Sequence, residues 1–175
     1  MKQIQIKTAR LLLRRWRNED LKPYAQLCAD PEVMRWIGRG ALRTMQESSD
    51  AINSFEKMWN EHGFGLFALE VVDTGEFLGF SGLAIPNFLP EIMPAVEIGW
   101  RLKRSSWGRG YATEAAQASL DFGFRDRELN RIVSIHQEGN EASGRIMQKI
   151  GMTLERETID PSCDRPVMVY EARSS

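Results

Sequence analysis

The stretch Trp107-Gly108-Arg109-Gly110-Tyr111-Ala112 lies between a strand-like segment, residues 95–102, and a helical pattern from about 112 to 124. The first N–H groups of a helix have no intrahelical partner, and the helix dipole adds roughly half a positive charge there. Gly108 and Gly110 allow a left-handed backbone and close approach of a ligand. The stretch therefore predicts an anion site at the start of a helix, and a turn with a helix cap and no ligand is the alternative.

Two other phosphate-binding motifs do not fit this stretch. The Walker motif needs a Gly-Lys-Ser/Thr sequence, which does not follow here. The dinucleotide fingerprint matches at Gly108 and Gly110, but Thr113 stands where its third glycine belongs. The preceding strands also form a hairpin pattern instead of alternating with helices, which disfavours a Rossmann domain.

The rest of the chain predicts a mixed α+β domain. A capping-box pattern at Thr44 and Glu47 starts one of the helices, and Asn18-Glu19-Asp20 is the predicted cap of another. Strands are expected at residues 11–13, 65–72, 77–85, 95–102, 131–135, 152–158 and 167–172. Helices are expected at 21–28, after Thr44, at 112–124 and at 140–150.

Composition excludes several classes of function. The 175 residues carry 23 Lys and Arg against 24 Asp and Glu, so no charge excess favours a nucleic acid or a membrane as partner. Cys28 and Cys163 are far apart and lack metal-ligand spacing, so no metal site is expected. No signal-peptide core and no membrane-spanning run is present. We expect one cytoplasmic domain over residues 1–175.

Several motifs together resemble the GNAT superfamily of N-acetyltransferases, in particular the branch with the ribosomal-protein N-terminal acetyltransferases. The similarity runs from about Thr8 to Glu171. It is carried by the motifs at residues 8–14, 18–21, 97–102, 107–115, 140–143 and 149–152. The resemblance implies a mostly antiparallel sheet of about six to seven strands flanked by helices. It also implies parallel strands near 95–102 and 131–135 that splay apart.

The resemblance further implies that acetyl-coenzyme A is the co-substrate. Its pyrophosphate would lie on the N–H groups of residues 109–113, and Trp107 would contribute through its backbone. The pantetheine arm would pair with the strand backbone and contact a helix cap. The implied coenzyme-binding residues are Ile98, Trp100, Trp107, Gly108, Arg109, Gly110, Tyr111, Ala112, Thr113, Asn140 and Ser143.

Transfer from a thioester to an amine needs a base for the amine proton and an acid for the departing thiolate. Glu97 is the candidate base, and a salt-bridged strand carboxylate is its structural alternative. His136 is the competing base, because imidazole titrates near neutral pH. The resemblance implies a tyrosine acid farther along this helix in many members of the superfamily; the helix here has no tyrosine, so Ser143 is the candidate acid. Asn140 is also an expected helix cap.

The acceptor is the least specified part. Trp36, Asn87 and Glu97 are the candidate substrate-binding residues, with the segment at 160–164 as a further wall. These aromatic and acidic groups suit a cationic amine, either a protein N-terminus or a small molecule. The alternative function is a non-catalytic acyl-coenzyme A-binding or regulatory module. A monomer and a homodimer both remain open.

Overall fold

The computed structural model describes residues 3–175, which form one eight-stranded sheet with helices on both faces. The strand order is β1-β2-β3-β4-β5-β6-β8-β7, and only β5 and β6 are parallel. The strands are β1 (Ile6–Lys7), β2 (Leu11–Arg14), β3 (Leu66–Val71), β4 (Phe77–Ala84), β5 (Glu97–Leu102), β6 (Arg131–Gln137), β7 (Thr153–Asp160) and β8 (Arg165–Arg173). The prediction of six to seven strands was too low, because β1 has two residues and no visible alternation.

Five α-helices connect or cover these strands. They are α1 (Leu21–Cys28), α2 (Pro31–Met34), α3 (Met45–His62), α4 (Tyr111–Arg125) and α5 (Glu141–Lys149). The capping box of α3 is confirmed: Thr44 Oγ1 accepts the Glu47 N–H at 3.2 Å, and Glu47 accepts the Thr44 N–H at 2.7 Å. The cap predicted for α1 is wrong. Residues Asn18–Asp20 form a 3₁₀ turn, and the Asp20 side chain makes no cap bond to α1 but pairs with Arg14.

The helices cover the two faces of the sheet separately. Ala115 and Ala116 of α4 and Met147 of α5 pack with Ile98 on one face. Helices α1 and α2 pack on the opposite face, where their buried apolar residues contact β3 and β4. Small residues bring α4 close: a Cβ on Gly123 would lie 2.5 Å from Ile132 Cδ1. We call these the α4 face and the α1 face.

The two parallel strands separate after a short contact. Glu97 pairs with Val133, and the Val133 N–H donates to the carbonyl oxygen of Val96 at 2.9 Å. One residue further on, Ser134 Oγ donates to the carbonyl oxygen of Ile98 at 2.9 Å. No later residues of β5 and β6 pair across the sheet within the described chain. A gap therefore opens between the two strands, which confirms the predicted splay.

Candidate active site

The glycine-rich turn presents its backbone as an anion cradle. Gly108 and Gly110 have φ values of 73° and 79°, and Gly110 is the N-cap of α4. Across residues 3–175, no acceptor meets the N–H groups of residues 108–113. A Cβ on Gly108 would point into open space, so a ligand has room to approach. Unpaired N–H groups at the positive end of a 15-residue helix suit a phosphate.

The Trp107 side chain also shapes this turn. Its Nε1–H donates to the carbonyl oxygen of Leu102 at 2.9 Å, which ties the turn to the end of β5. Its ring is 48% exposed and does not belong to the core. The expectation that Trp107 acts through its backbone alone therefore missed a role of the indole in closing the turn.

Arg10 clamps the turn from the β1–β2 connection. Its Nη1 donates to the carbonyl oxygen of Arg109 at 2.8 Å, and its Nε pairs with Glu114 at 2.7 Å. The guanidinium also lies 4.3 Å from the centre of the Tyr111 ring. In a trans peptide the C=O and the next N–H point in opposite directions. Because Arg10 holds the Arg109 carbonyl, it fixes the direction of the Gly110 N–H.

Glu114 holds Arg10 in turn. Its carboxylate accepts the Thr8 hydroxyl at 2.7 Å and the Arg10 backbone N–H at 2.9 Å, besides the Arg10 guanidinium. Burial alone would raise the pKa of Glu114, but hydrogen bonds from Thr8 and Arg10 hold it below its ordinary value. The carboxylate therefore stays charged near neutral pH and holds Arg10 against the Arg109 carbonyl.

Glu97 lies where the two parallel strands begin to separate. Its neighbour Ile98 is buried on the α4 face, so the alternation of the strand places Glu97 on the α1 face. The side chain is partly exposed. Burial raises the pKa of Glu97 to about 8, and the negative charge of Asp160 adds to the rise. The ionised fraction of a carboxyl with this pKa is a stronger base than an ordinary carboxylate, and that fraction grows as the pH rises toward 8.

His136 lies on the other face of the sheet from Glu97. Along β6, Val133 pairs with Glu97 and His136 is an odd number of residues further on. Its Nδ1 is 2.8 Å from the carbonyl oxygen of Gln137, and its ring packs near Tyr170. A Cβ on Gly144 would lie 3.1 Å from its Nε2, so the ring packs against α5. The structure gives His136 a packing role and does not bring it to Glu97.

Asn140 and Ser143 form the start of α5. The side-chain Oδ1 of Asn140 accepts the Ser143 N–H at 3.5 Å, which confirms the predicted cap. The Asn140 amide also donates to Ser143 Oγ at 3.2 Å. Because Ser143 Oγ accepts this bond, its own proton remains available for donation.

The candidate acceptor residues lie in different surroundings. The Trp36 ring packs against Gly139, where a Cβ would be 3.1 Å from Cη2, and therefore lies beside Asn140. Asn87 is exposed in the loop after β4, and its backbone N–H donates to the carbonyl oxygen of Ile85. A cleft of about 340 Å³ lies elsewhere, between β2, the start of α1 and the β3–β4 turn, and none of the predicted site residues lines it.

The family model described as acetyltransferase (GNAT) domain matches residues 10–153. The chain belongs to the GNAT acetyltransferase family. The uncharacterized protein YkkB of Bacillus subtilis is 35% identical over 86% of this chain and 84% of its own. The structure of an acetyltransferase from Agrobacterium tumefaciens superposes with a TM-score of 0.84 at 26% identity, covering 99% of this chain and 96% of that one.

The fold is also that of the ribosomal-protein branch of GNAT proteins. The ribosomal L7/L12 acetyltransferase RimL, solved in complex with coenzyme A, has a TM-score of 0.78 at 17% identity, over 97% of this chain and 98% of that one. The predicted fold and family are thus confirmed. GNAT proteins use acetyl-coenzyme A, and the cradle at residues 108–113 fits an anionic group of that kind.

Two further features bear on cofactors and surroundings. Among residues 3–175, no group of three or more His, Cys, Asp or Glu side chains is placed to hold a metal ion. No helix in the same range is both long and apolar enough to cross a membrane.

Sequence reasoning missed several residues at this site. Arg10 and Glu114 stand within the quoted motifs, yet their pairing across 104 residues leaves no mark on local spacing. The same holds for Arg101 on β5, and Asp160 was expected only as part of the acceptor wall at 160–164, not beside Glu97. The partners in these contacts are far apart in sequence, so no local signal marks them.

Proposed function

We propose that this protein transfers the acetyl group of acetyl-coenzyme A to a primary amine by direct attack in a ternary complex. One observation carries the proposal. The gap between β5 and β6 begins beside Glu97, and the anion cradle of α4 follows the far end of β5. A thioester held along β5 would thus have its nucleotide end at the cradle and its acetyl end near the carboxyl.

The donor half of the site would bind the coenzyme mainly through backbone groups. The free N–H groups of residues 109–113 would hold the pyrophosphate. The backbone of Ile98 and Trp100 would pair with the pantetheine arm as a neighbouring strand does, because β6 has moved away from this part of β5. Asn140, at the start of α5, would contact the same arm from the opposite edge of the gap.

The acid–base work is assigned to Glu97 and Ser143. The amine nitrogen forms a bond to the acetyl carbon, the carbon–sulfur bond breaks, and the thiolate leaves. In its ionised form Glu97 takes the amine proton, directly or through a water molecule, and its raised pKa makes that carboxylate a stronger base. Ser143 Oγ donates a proton to the sulfur and is reprotonated from solvent. The excess proton is later released from Glu97, so protons balance.

The acceptor is a peptide N-terminus or a small-molecule amine. The name of RimL, the fold neighbour solved with coenzyme A, specifies a protein α-amine as the acceptor of that protein. Asp160, close enough to raise the pKa of Glu97, supplies negative charge where the amine would enter. That charge attracts an ammonium group before it loses its proton.

The test offers labelled acetyl-coenzyme A and a panel of amines and peptides to the protein, and measures free thiol and labelled products by mass spectrometry. We expect thiol release that depends on an acceptor. Coenzyme binding without transfer to any amine would support the non-catalytic alternative. Absence of coenzyme binding would refute the proposal.

A glycine pair provides a matched test of the cradle. Gly108 and Gly75 have φ values of 73° and 72°, and a Cβ on either meets nothing within 4 Å. Gly108→Ala and Gly75→Ala therefore impose the same backbone strain. We expect Gly108→Ala to weaken coenzyme binding about tenfold or more through contact with the phosphate, while Gly75→Ala leaves it unchanged. Equal effects in calorimetry would contradict the assignment.

A further inference from the structure

An arginine-rich segment connects α2 to α3. We call residues 35–43, Arg35-Trp36-Ile37-Gly38-Arg39-Gly40-Ala41-Leu42-Arg43, the arginine loop. The loop contains no acidic residue. Arg35 stacks on Trp36, with its guanidinium 4.9 Å from the ring centre, and Arg35 and Arg39 are exposed.

The arginine loop bridges the gap between β5 and β6 on the face that carries Glu97. At one end, Gln137 of β6 donates from Nε2 to the carbonyl oxygen of Gly38 at 2.6 Å. At the other end, the Arg43 N–H donates to the carbonyl oxygen of Cys28 at 3.1 Å. Cys28 Sγ lies 3.7 Å from Nη1 of Arg101, which is on β5. The loop therefore spans the opening through which an acceptor would reach Glu97.

The positive charge along this opening is not neutralised by the protein. In the described part of the chain, Arg35, Arg39 and Arg43 form no ion pair. The nearby Glu47 is engaged by the backbone N–H of Thr44, the main cause of its lowered pKa, and Arg43 adds a smaller effect. The loop thus keeps its excess of positive charge.

Two buried donors lie under the loop without a partner. Arg101 Nε and the Tyr24 hydroxyl are both fully buried, and neither makes a hydrogen bond within residues 3–175. The Arg101 guanidinium stacks 5.1 Å from the centre of the Phe80 ring, so it is held in place. Unsatisfied buried donors are costly, and a ligand oxygen would relieve that cost.

We propose that the arginine loop selects amine acceptors that also carry a carboxylate. This inference rests on the proposed acetyl transfer. The ammonium of the acceptor goes to the carboxyl groups of Glu97 and Asp160, and its carboxylate goes to Arg35, Arg39 or Arg43. Arg101 lies beneath the Arg43 end of the loop through Cys28. Glu97 and Arg101 are four residues apart on β5, or roughly 13 Å at about 3.3 Å per residue, which sets the scale of the distance from Glu97 to the loop. A carboxylate two to four residues from a peptide N-terminus, or at the far end of a long amino acid, matches that span.

The test compares acceptors that differ only in charge. One set of peptides has the same length and the same N-terminal serine, and carries Asp, Asn or Lys at positions two to four. The set therefore varies the charge of the acceptor at constant length. An ω-amino acid and its matching alkylamine test the small-molecule source. We expect kcat/KM for the acidic peptides to exceed that for the neutral ones about tenfold at low salt, and to fall toward the neutral value as salt rises.

Charge-removing variants locate the effect. We expect Arg39→Gln to reduce the preference for acidic peptides about threefold, and Arg35→Gln/Arg39→Gln/Arg43→Gln to abolish it, without a change for neutral peptides. Arg125→Gln, on the exposed last turn of α4, makes the same charge change away from the gap and is the matched control. Thermal unfolding checks that each variant is folded.

A binding measurement decides the inference independently of turnover. The same peptides are titrated into protein saturated with coenzyme A, and the dissociation constants should follow the same charge order. Equal binding of acidic and neutral peptides, or better binding of the Lys peptides, overturns the inference. So does a triple variant that loses affinity for coenzyme A but keeps its charge preference, because the arginines would then serve the coenzyme phosphates. Failure of the proposed function would show separately, as absence of acetyl transfer by the unmodified protein.

Discussion

Glu97 is the residue whose ionisation should govern turnover. Its pKa of about 8 means that the carboxyl is mostly protonated at pH 7, and the fraction able to accept a proton rises with pH. We expect kcat/KM to increase with pH up to about 8. Glu97→Gln should remove this dependence and lower kcat/KM by about 10²–10⁴-fold, the usual contribution of a general base. The measurement is a pH–rate profile with one acceptor, so titration of the amine is common to both proteins.

A surface carboxylate provides the control for that experiment. Glu61→Gln makes the same chemical change on an exposed position of α3, where Glu61 pairs only with Lys57. It should leave the profile unaltered. If kcat/KM of Glu97→Gln still rose with pH up to about 8, another group would be the base.

Single residues were predictable where one local motif carries them. Asn140 and Ser143 were found because a cap and its third residue are neighbours in sequence. The face on which Glu97 lies was predictable because strand alternation separates it from Ile98. Arg10 and Arg101 were not found, because their partners lie 104 and 73 residues away and only the folded sheet brings them together.

At the scale of elements, the start of α4 depends on the β1–β2 connection. Glu114 accepts hydrogen bonds from Thr8 and Arg10, and Arg10 in turn holds the Arg109 carbonyl. We expect Glu114→Gln to raise the dissociation constant for coenzyme A by about three- to tenfold, because it removes a charge-assisted pair that positions the cradle. The value of kcat at saturating coenzyme should change little. Calorimetry and steady-state kinetics measure the two effects.

The comparison with acetyl-pantetheine distinguishes positioning from general damage. This thioester lacks the pyrophosphate, so its KM should be the same in Glu114→Gln and the unmodified protein. Glu56→Gln is the matched control. The Glu56 carboxylate on α3 accepts hydrogen bonds from the Arg15 guanidinium and the Trp16 backbone N–H, as Glu114 does from Arg10, but it is not at the cradle. A raised KM for acetyl-pantetheine would mean that Glu114 supports the fold and not the cradle.

Elements with a complete local signal were predicted correctly. The capping box placed α3, and the glycine-rich turn with the helical pattern after it placed α4. The two-residue β1 has too few positions to show a period, so it was missed. The cap assigned to Asp20 failed for a different reason: a buried arginine competes for its carboxylate, and that arginine is on another element.

At the scale of the whole molecule, the ion pair between Arg14 and Asp20 joins the sheet to the helical layer. Arg14 on β2 is 5% exposed and Asp20 is 2% exposed, and two hydrogen bonds of 2.8 and 2.9 Å connect them. Burial alone would lower the pKa of Arg14, but hydrogen bonds to Asp20 and Glu70 raise it above its ordinary value. Arg14 is therefore charged in the folded protein, and the carboxylate of Asp20 holds it in place.

Removing one partner should be far more harmful than removing both. Asp20→Leu leaves the buried guanidinium with Glu70 as its remaining carboxylate, and we expect the free energy of unfolding to fall by about 3–5 kcal/mol. Arg14→Met leaves Asp20 uncompensated and should cost a similar amount. In Arg14→Met/Asp20→Leu, Glu70 keeps Arg17 at 3.3 Å, and stability should return to within about 1 kcal/mol of the unmodified protein. Urea unfolding measures all four proteins; additive losses in the double variant would show that the pair is not the unit that holds β2 to α1.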